Sequence, residues 1–532
     1  MRTEAVGYAL GKLMQVMGVV LLVPLAIGAY DCRHLNVGSI AAAPECLGFI
    51  VGVVFSLLVG SWLAFFFRSG RKRQSIKEGY AIVTLGWVTL ALVSAIPFTL
   101  YFMAVRAGAE GGFIRVFTDA YFEVMSGFTT TGASILTDVE ALPRSLLFLR
   151  ALTHWLGGMG IITLAIAIFP AMGVSGYMMF RSEVPGPTTD KLQPRLAQTA
   201  SILWGVYMLL SAVETVLLMV GGMSLFDAVC HTFATMATGG FSTRNASVAA
   251  YNSDFIEWVI IIFMYFAGIN FLLHFKVLRG DLNSLVKNRE FTFYSAIVLA
   301  TIVIVTAVLY LNGPAPIEET AGHYRASDWS SEQFARHYAE ESAKVNSLYD
   351  SFRVASFQAL SIVTTTGFVT ADFDLWPEFL RLLLIILMFA GGCAGSTGGG
   401  MKMIRVMIVT RVVLNQLRKL AQPRLVAPIK IGRRAVDDSR VASIVSFFIL
   451  FVGLFILTAV LMTLFVPDLT TAVACSIATI GNIGPGLSGV GAVENYSWIP
   501  VPGKWVLILS MLLGRLEIFT VLIVLSPAVW RR

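Results

Sequence analysis

The residues able to do chemistry in this chain are hydroxyls, carbonyls and glycines gathered in four short stretches. The first, Ser126-Gly-Phe-Thr-Thr-Thr-Gly-Ala-Ser134, is echoed by Thr235-Met-Ala-Thr-Gly-Gly-Phe241 and Ser361-Ile-Val-Thr-Thr-Thr-Gly-Phe368. A degenerate fourth copy reads Ala478-Thr-Ile-Gly-Asn-Ile-Gly-Pro-Gly486. None pairs a nucleophile with a base, carries a nucleotide fingerprint or sets metal ligands at a useful spacing, so enzyme chemistry has no support. Such stretches can instead replace the water around a dehydrated cation. Glycine opens backbone angles closed to other residues, so successive carbonyls can point the same way, and a ring of carbonyls selects ions. Anchored on Gly132, Gly239, Gly367 and Gly484, the copies lie 107, 128 and 117 residues apart. Ala120, Ala355 and Ala472 each lie twelve residues before their glycine, and Ala228 eleven before its own. Repetition at such a period decides the fold class.

The elements that must position these stretches follow from length. Each ends an apolar segment of ten to fourteen residues, too short to span a bilayer as a helix, which needs roughly 20. Longer apolar runs flank it, which predicts span, half-helix, extended loop, span. Non-helical backbone at membrane depth is tolerated only where it lines water or is buried in protein. The negative C-terminal end of each half-helix would favour a cation. Spanning runs fall near 6–30, 48–67, 80–104, 146–170, 197–221, 255–275, 291–311, 379–410, 441–466 and 504–527, with half-helices near 117–130, 225–237, 352–365 and 469–480. The expected fold is an all-α polytopic membrane protein with four pseudo-symmetric span–pore-helix–span repeats around a single pore, plus an N-terminal pair of spanning helices. The divisions are 1–78 for the accessory pair, then repeats 79–195, 196–289, 290–435 and 436–532. The third carries an external insertion at 313–350 and an intramembrane loop at 391–400.

Composition agrees: of 532 residues, 56% are hydrophobic and only 13% charged, as in polytopic helical membrane proteins. The first apolar run, Val6 to Tyr30, is too long for a cleavable signal and reads as a spanning helix. The net charge of +7 comes from alternate loops rather than a nucleic-acid surface. Arg68, Arg71, Lys72, Arg73 and Lys77 crowd one. Arg181, Lys191 and Arg195 mark a second, and Lys276, Arg279, Lys287 and Arg289 a third. The fourth holds Arg411, Arg418, Lys419, Arg424, Lys430, Arg433, Arg434 and Arg440. By the positive-inside rule these loops and both termini face the cytoplasm, and all four Thr/Gly loops open outward. Cys32 and Cys46 bracket a short outward loop in which a disulfide is allowed by the compartment but not fixed by spacing.

Further residues invite a role. Gly391-Gly-Cys-Ala-Gly-Ser-Thr-Gly-Gly-Gly400 puts six glycines in ten residues inside an apolar run, each costing about 1 kcal/mol in a helix relative to alanine. It predicts a flexible gating loop beneath the third filter stretch, built from Gly391, Gly392, Gly395, Ser396, Thr397, Gly398, Gly399 and Gly400; a passive kink is the alternative. Arg515, intramembrane and costly, is expected to face inward toward that loop rather than pair with Glu517. Glu214 is a structural hydrogen-bond partner or an ion contact. Asp119, Glu123, Asp227, Asp372 and Asp374 could line a vestibule that concentrates cations, although Asp119 and Asp227 also suit helix caps. His154 and Trp155 suit a membrane interface. The insertion, helical in part from Ser330 to Tyr349, is either a solvated loop or a cap over the outer mouth.

Taken with His154-Trp-Leu-Gly-Gly-Met-Gly160, Thr238-Gly-Gly-Phe-Ser242 and Gly395-Ser-Thr-Gly-Gly-Gly-Met-Lys402, these motifs resemble the TrkH/TrkG/TrkI group of bacterial potassium uptake proteins, within the Trk/Ktr/HKT superfamily, over nearly the whole chain. The resemblance implies a potassium pore with its filter at Thr129–Ser134, Met236–Phe241, Thr364–Val369 and Gly481–Gly486. The ion-binding positions it implies are Thr130, Thr131, Gly132, Ala237, Thr238, Gly239, Thr365, Thr366, Gly367, Asn482, Ile483 and Gly484. It further implies a gate at Gly391–Gly400 with Arg515, a homodimer in the bacterial inner membrane, and cytoplasmic TrkA-type regulatory subunits that bind NAD(H) or ATP. No organic cofactor in this chain and no nucleic acid are expected. In plant relatives serine at the first filter glycine goes with sodium, so Gly132 favours potassium. Asn482 and Ile483 depart from the threonine pattern and imply looser selectivity. The main alternative of the same fold is a sodium- or proton-coupled symporter. Inverted repeats would put their loops on opposite sides, which four like-oriented copies do not.

Overall fold

The structure, a computed structural model, describes residues 3–34, 43–72, 76–105, 112–158, 160, 196–320, 330–423, 428–432 and 434–530. Expectations resting on Arg73, Arg181, Lys191, Arg195, Arg424 and Arg433, on span residues 161–170 and on insertion residues 321–329 lie outside the described residues.

Among the described residues the chain is a helical array with one short antiparallel hairpin, Lys430–Ile431 against Arg434–Ala435. Helices Thr3–Val20, Leu22–His34 and Pro44–Phe66 form the accessory pair. It packs through small residues: a Cβ on Gly11 would come within 2.7 Å of backbone atoms of Gly60 and Ala64. Gly48 likewise admits Pro97 of the next span.

Four units follow. The first has Ile76–Val105, the short helix Gly112–Phe128 and then Arg144–Gly158; the second has Leu196–Val220, the short helix Leu225–Met236 and the bent pair Asp254–Ala267 with Phe271–Leu278. The third has Arg289–Asn312, the short helix Leu348–Val363 and the interrupted pair Glu378–Met388 with Met403–Ala421; the fourth has Asp438–Met462, the short helix Leu469–Ile480 and the bent pair Val501–Arg515 with Phe519–Leu525. Among the described residues six helices are long and apolar enough to cross a membrane, or eight if each bent pair is one span. The other two expected spans are those of unit one, described only to Gly158 and at Gly160, and of unit three, broken by the glycine loop.

The closing spans break for a reason. They bend by 103° and 118° in units two and four, and in unit three backbone at 389–402 replaces helix. Each break lies against the short helices' C-terminal ends, where carbonyls without helical partners need donors. At the opposite ends Ser224, Ser347 and Asp468 cap short helices by accepting from Asp227 N, Asp350 N and Thr471 N, as N-cap residues do.

Candidate ion-binding site

The four Thr/Gly stretches fold alike, atom for atom along the backbone. Thr130 N donates to Gly127 O and Thr131 N to Ser126 O; Thr238 N and Gly239 N donate to Thr235 O and Ala234 O. The same pair joins Thr365 and Thr366 to Ile362 and Ser361, and Asn482 and Ile483 to Thr479 and Ala478. The bond reaching back five residues, behind a left-handed residue, is a Schellman ending. The left-handed residue is usually glycine. Here it is Thr130, Thr238, Thr365 or Asn482, at φ between 50° and 60°. Left-handed β-branched residues are outliers costing on the order of 1–3 kcal/mol each, and such strain clusters at functional sites.

Two residues on, the backbone is left-handed again at Gly132 (φ 81°), Gly240 (81°), Gly367 (79°) and Gly484 (98°). The structure therefore moves the second anchor from Gly239 to Gly240. Thr238, Gly239 and Gly240 are the counterparts of Thr130, Thr131 and Gly132, and Ala237 matches Thr129. The sequence held the clue: Ala228 lies twelve residues before Gly240, as the other three alanines do before theirs.

These glycines close a ring. A Cβ on Gly132 would collide with Gly239 O, one on Gly240 with Thr366 O, one on Gly367 with Ile483 O, and one on Gly484 with Thr131 O. Each unit's glycine thus meets the carbonyl of the preceding position in the next unit, and the fourth returns to the first. Only a residue without a side chain fits, on steric and dihedral grounds together. Thr129, Thr130, Thr131, Thr238, Thr364, Thr365, Thr366 and Asn482 are all fully buried. Thr129 and Thr131 bond through their hydroxyls at 2.8 Å, and Thr364 and Thr366 repeat this at 2.7 Å. Asn482 keeps the common backbone and donates to Thr131 Oγ1 at 3.0 Å and Met511 O at 2.9 Å. Thr130 Oγ1 and Asn482 Oδ1 are buried oxygens with no hydrogen-bond partner, and Asn482 Oδ1 lies beside Gly514 of the last span and Gly399 of the glycine loop.

Residues that sequence reasoning passed over brace the ring. His154 is buried rather than interfacial: its Nδ1 lies 2.9 Å from Gly127 O, and Phe241 N donates to its Nε2 at 3.2 Å. Each seam between units carries a charged group. Arg150 bonds Glu123 at 2.8 Å and Ser242 O at 3.0 Å between units one and two. Arg353 meets Asp254 and Glu257 at 2.7 and 2.9 Å between two and three. Asp374 accepts from Ser488 N at 3.0 Å between three and four, and Lys504 meets Asp119 at 2.6 Å between four and one. Asp119, Glu123, Asp372 and Asp374 are buried and bonded rather than arrayed along a vestibule. Asp227 accepts from Thr243 Oγ1, and Ser224 caps its helix in its stead. Glu214 is fully buried in the second unit's first span, where it interacts with Thr235 at the end of the second short helix. Breaking a buried pair by removing one partner costs about 3–5 kcal/mol. Lys504→Met should therefore lower the melting temperature in detergent, and the double change with Asp119→Leu should restore most of it.

The glycine loop lies against the ring's underside. Gly399 N donates to Thr365 Oγ1 at 2.6 Å, and Thr397 Oγ1 donates to Met236 O at 2.9 Å. A Cβ on Gly398 would approach Thr364 O, and one on Gly399 would approach Gly481 O. Short helices two, three and four therefore all end on this loop. Arg515 completes the circle, donating to Thr397 O at 2.8 Å and to Gly157 O and Gly158 O of unit one at 2.6 and 3.0 Å. Glu517 pairs instead with Arg405 at 2.5 Å.

The described part of the insertion packs onto the protein rather than standing free in solvent. Its helix Ser331–Ala343 starts with a capping box at Ser330 and Gln333. His337 meets Asp372 at 3.0 Å, Glu341 accepts from Asp372 N, and Lys344 donates to Thr370 O. It straps the segment that follows Gly367. Burial lowers the His337 pKa, but the hydrogen bond to Asp372, the Asp372 charge and Glu341 outweigh it, so the net shift is upward from 6.5. A raised folded pKa means the contact is fully present below the ordinary value and lost as pH rises through the raised one. Hydrogen exchange across residues 331–343, corrected for intrinsic rate, should be slower at acid than at alkaline pH, and His337→Ala should remove the difference.

Comparison with known proteins supplies the context. The TrkH family model, described as a cation transport protein, matches residues 48–531. The chain is 37% identical over 478 residues to the Trk system potassium uptake protein TrkH of Escherichia coli (strain K12), covering 90% of each. It is 30% identical over 528 residues to the Trk system potassium uptake protein TrkI of Halomonas elongata, covering 98% of this chain and 96% of that one. The crystal structure of the potassium transporter TrkH from Vibrio parahaemolyticus matches over 100% of both chains, with a TM-score of 0.80 and 32% identity.

Proposed function

This chain belongs to the TrkH family of cation transport proteins, and from that premise we propose that it takes up potassium through the ring formed by residues 130–132, 238–240, 365–367 and 482–484. The observation that carries the reading is the closed circuit of glycine against carbonyl among the four loops. Transport, not catalysis, is the activity. Carbonyls of these ring residues would stand in for the ion's hydration shell. The C-terminal ends of four short helices add negative potential there.

The glycine loop at 391–400, held by Arg515, is the gate in this reading: it lies under three of the four helix ends, where it would block an ion leaving the ring. The multi-pass protein sits in the bacterial inner membrane with both termini and the basic loops in the cytoplasm. A homodimer and nucleotide-binding regulatory subunits of the TrkA type, docked on that basic face, complete the proposed assembly.

The test is radiolabelled rubidium uptake into proteoliposomes under an inside-negative potential, with the regulatory subunit and nucleotide supplied. Uptake should be competed by potassium and poorly by sodium. No uptake would refute the pore, and equal competition would remove potassium selectivity.

A further inference from the structure

Glu290 is a buried carboxylate that neither the ring nor Arg515 uses. It opens helix Arg289–Asn312, where Asn288 caps the first turn by accepting from Glu290 N and Phe291 N. One oxygen, Oε1, accepts from two amides far along the chain: Ala394 N at 2.7 Å and Ile404 N at 3.1 Å. Those amides lie on either side of the glycine loop's tip. The loop's neck is pinched by Gly391 N to Met401 O at 2.8 Å, Met401 N to Phe389 O at 3.2 Å and Met403 N to Gly392 O at 3.1 Å. Lys402, half-buried nearby, donates to Gly398 O and acts electrostatically on Glu290. A single carboxylate therefore fastens the entering and leaving strands of the loop to a helix that belongs to neither.

The same place is mechanically linked to the basic face. Ile404, whose amide is one of the two donors, packs in an apolar cluster with Met407, Ile408 and Ile444, and Phe293 and Ile431 pack against it. Phe293 lies one helical turn beyond Glu290. Ile431 belongs to the short hairpin, whose partner strand begins at Arg434. Gly432 at the hairpin turn lies against the Arg289 side chain. A pull on the hairpin is thus delivered to the helix that holds Glu290 and to the segment that carries one of its donors.

We propose that Glu290 is the clasp of the gating loop, and that displacement of the paired strands Lys430–Ile431 and Arg434–Ala435 by a docked cytoplasmic partner opens the pathway by separating Glu290 from Ala394 N and Ile404 N. Glu290 is a positioning residue here. It touches no ion and acts through the loop. The inference rests on the glycine loop being the gate. Losing two hydrogen bonds at once favours the released state by population shift.

The experiment measures rubidium flux and melting temperature for wild type, Glu290→Ala, Glu290→Gln and Arg515→Ala in proteoliposomes, with and without the regulatory subunit and nucleotide. Glu290→Ala should raise partner-free flux about tenfold or more and respond little when the partner is added. Glu290→Gln keeps a carbonyl oxygen that can accept from both amides and should stay near wild type in partner-free flux. Potassium-over-sodium competition should be the same in all. A Glu290→Ala protein with wild-type partner-free flux would overturn the clasp, as would flux and selectivity falling together with melting temperature. If Arg515→Ala also leaves partner-free flux unchanged, the gate reading itself fails; if Arg515→Ala raises flux and Glu290→Ala does not, only the clasp does.

Discussion

Replacing Gly132, Gly240, Gly367 or Gly484 with alanine or serine is expected to reduce rubidium uptake by at least about a hundredfold or to make it sodium-sensitive, with folded protein still recovered. A left-handed backbone costs a non-glycine residue roughly 1–2 kcal/mol. At these positions the larger penalty is steric, because the new Cβ would overlap the neighbouring unit's carbonyl, and that carbonyl is one of those proposed to face the ion. Relief requires one loop to retreat, and the ring widens on that side. A displacement near 1 Å is enough to cost about a hundredfold where geometry is the catalyst. Gly280→Ala is the control: its φ is 87°, yet nothing lies within 4 Å of the new Cβ, so it carries the dihedral strain without the collision. Uptake by Gly280→Ala should be near wild type. If the ring variants behaved like this control, steric closure would not be what sets the pathway.

Arg515→Ala is expected to have the opposite sign, raising flux in the absence of any partner by about ten- to a hundredfold. Arg515 donates to Thr397 O on the glycine loop and to Gly157 O and Gly158 O on unit one. Charge-assisted bonds of this kind contribute about 1.5–3 kcal/mol each, and those to the loop exist only while the loop is in place. Losing about 1.5–3 kcal/mol from the closed state shifts its equilibrium by roughly ten- to a hundredfold. Arg515→Lys keeps the charge but not the planar fork that reaches two units at once. It should fall between the two. Partner-free flux equal to wild type in Arg515→Ala would count against the glycine loop held by Arg515 as the gate.

The helical architecture was legible because apolar length and a hundred-residue repeat leave few alternatives. The glycine loop and the inward turn of Arg515 were legible too, since neither six glycines nor a charge fits an ordinary membrane helix. The register of the second stretch was not: two adjacent glycines, Gly239 and Gly240, offer equal local evidence, and only the spacing to Ala228 separates them. His154, Arg150 and Lys504 were opaque for a different reason. Each acts across a seam between units, and sequence spacing says nothing about which unit lies next to which. The carboxylates misled by their type. Asp119, Glu123 and Asp374 stand on the side where a vestibule would attract cations, yet each is occupied by a neighbour that only the packed ring brings close. Glu290 was hidden because its partners are backbone amides more than a hundred residues away.

The most direct measurement is the location of the ion itself: anomalous difference density for rubidium or thallium in crystals of the protein. Peaks should lie on the axis between residues 130–132, 238–240, 365–367 and 482–484, and should vanish in Gly367→Ala. Density elsewhere, with the ring empty in protein that transports, would contradict the assignment of the ion pathway to these four loops.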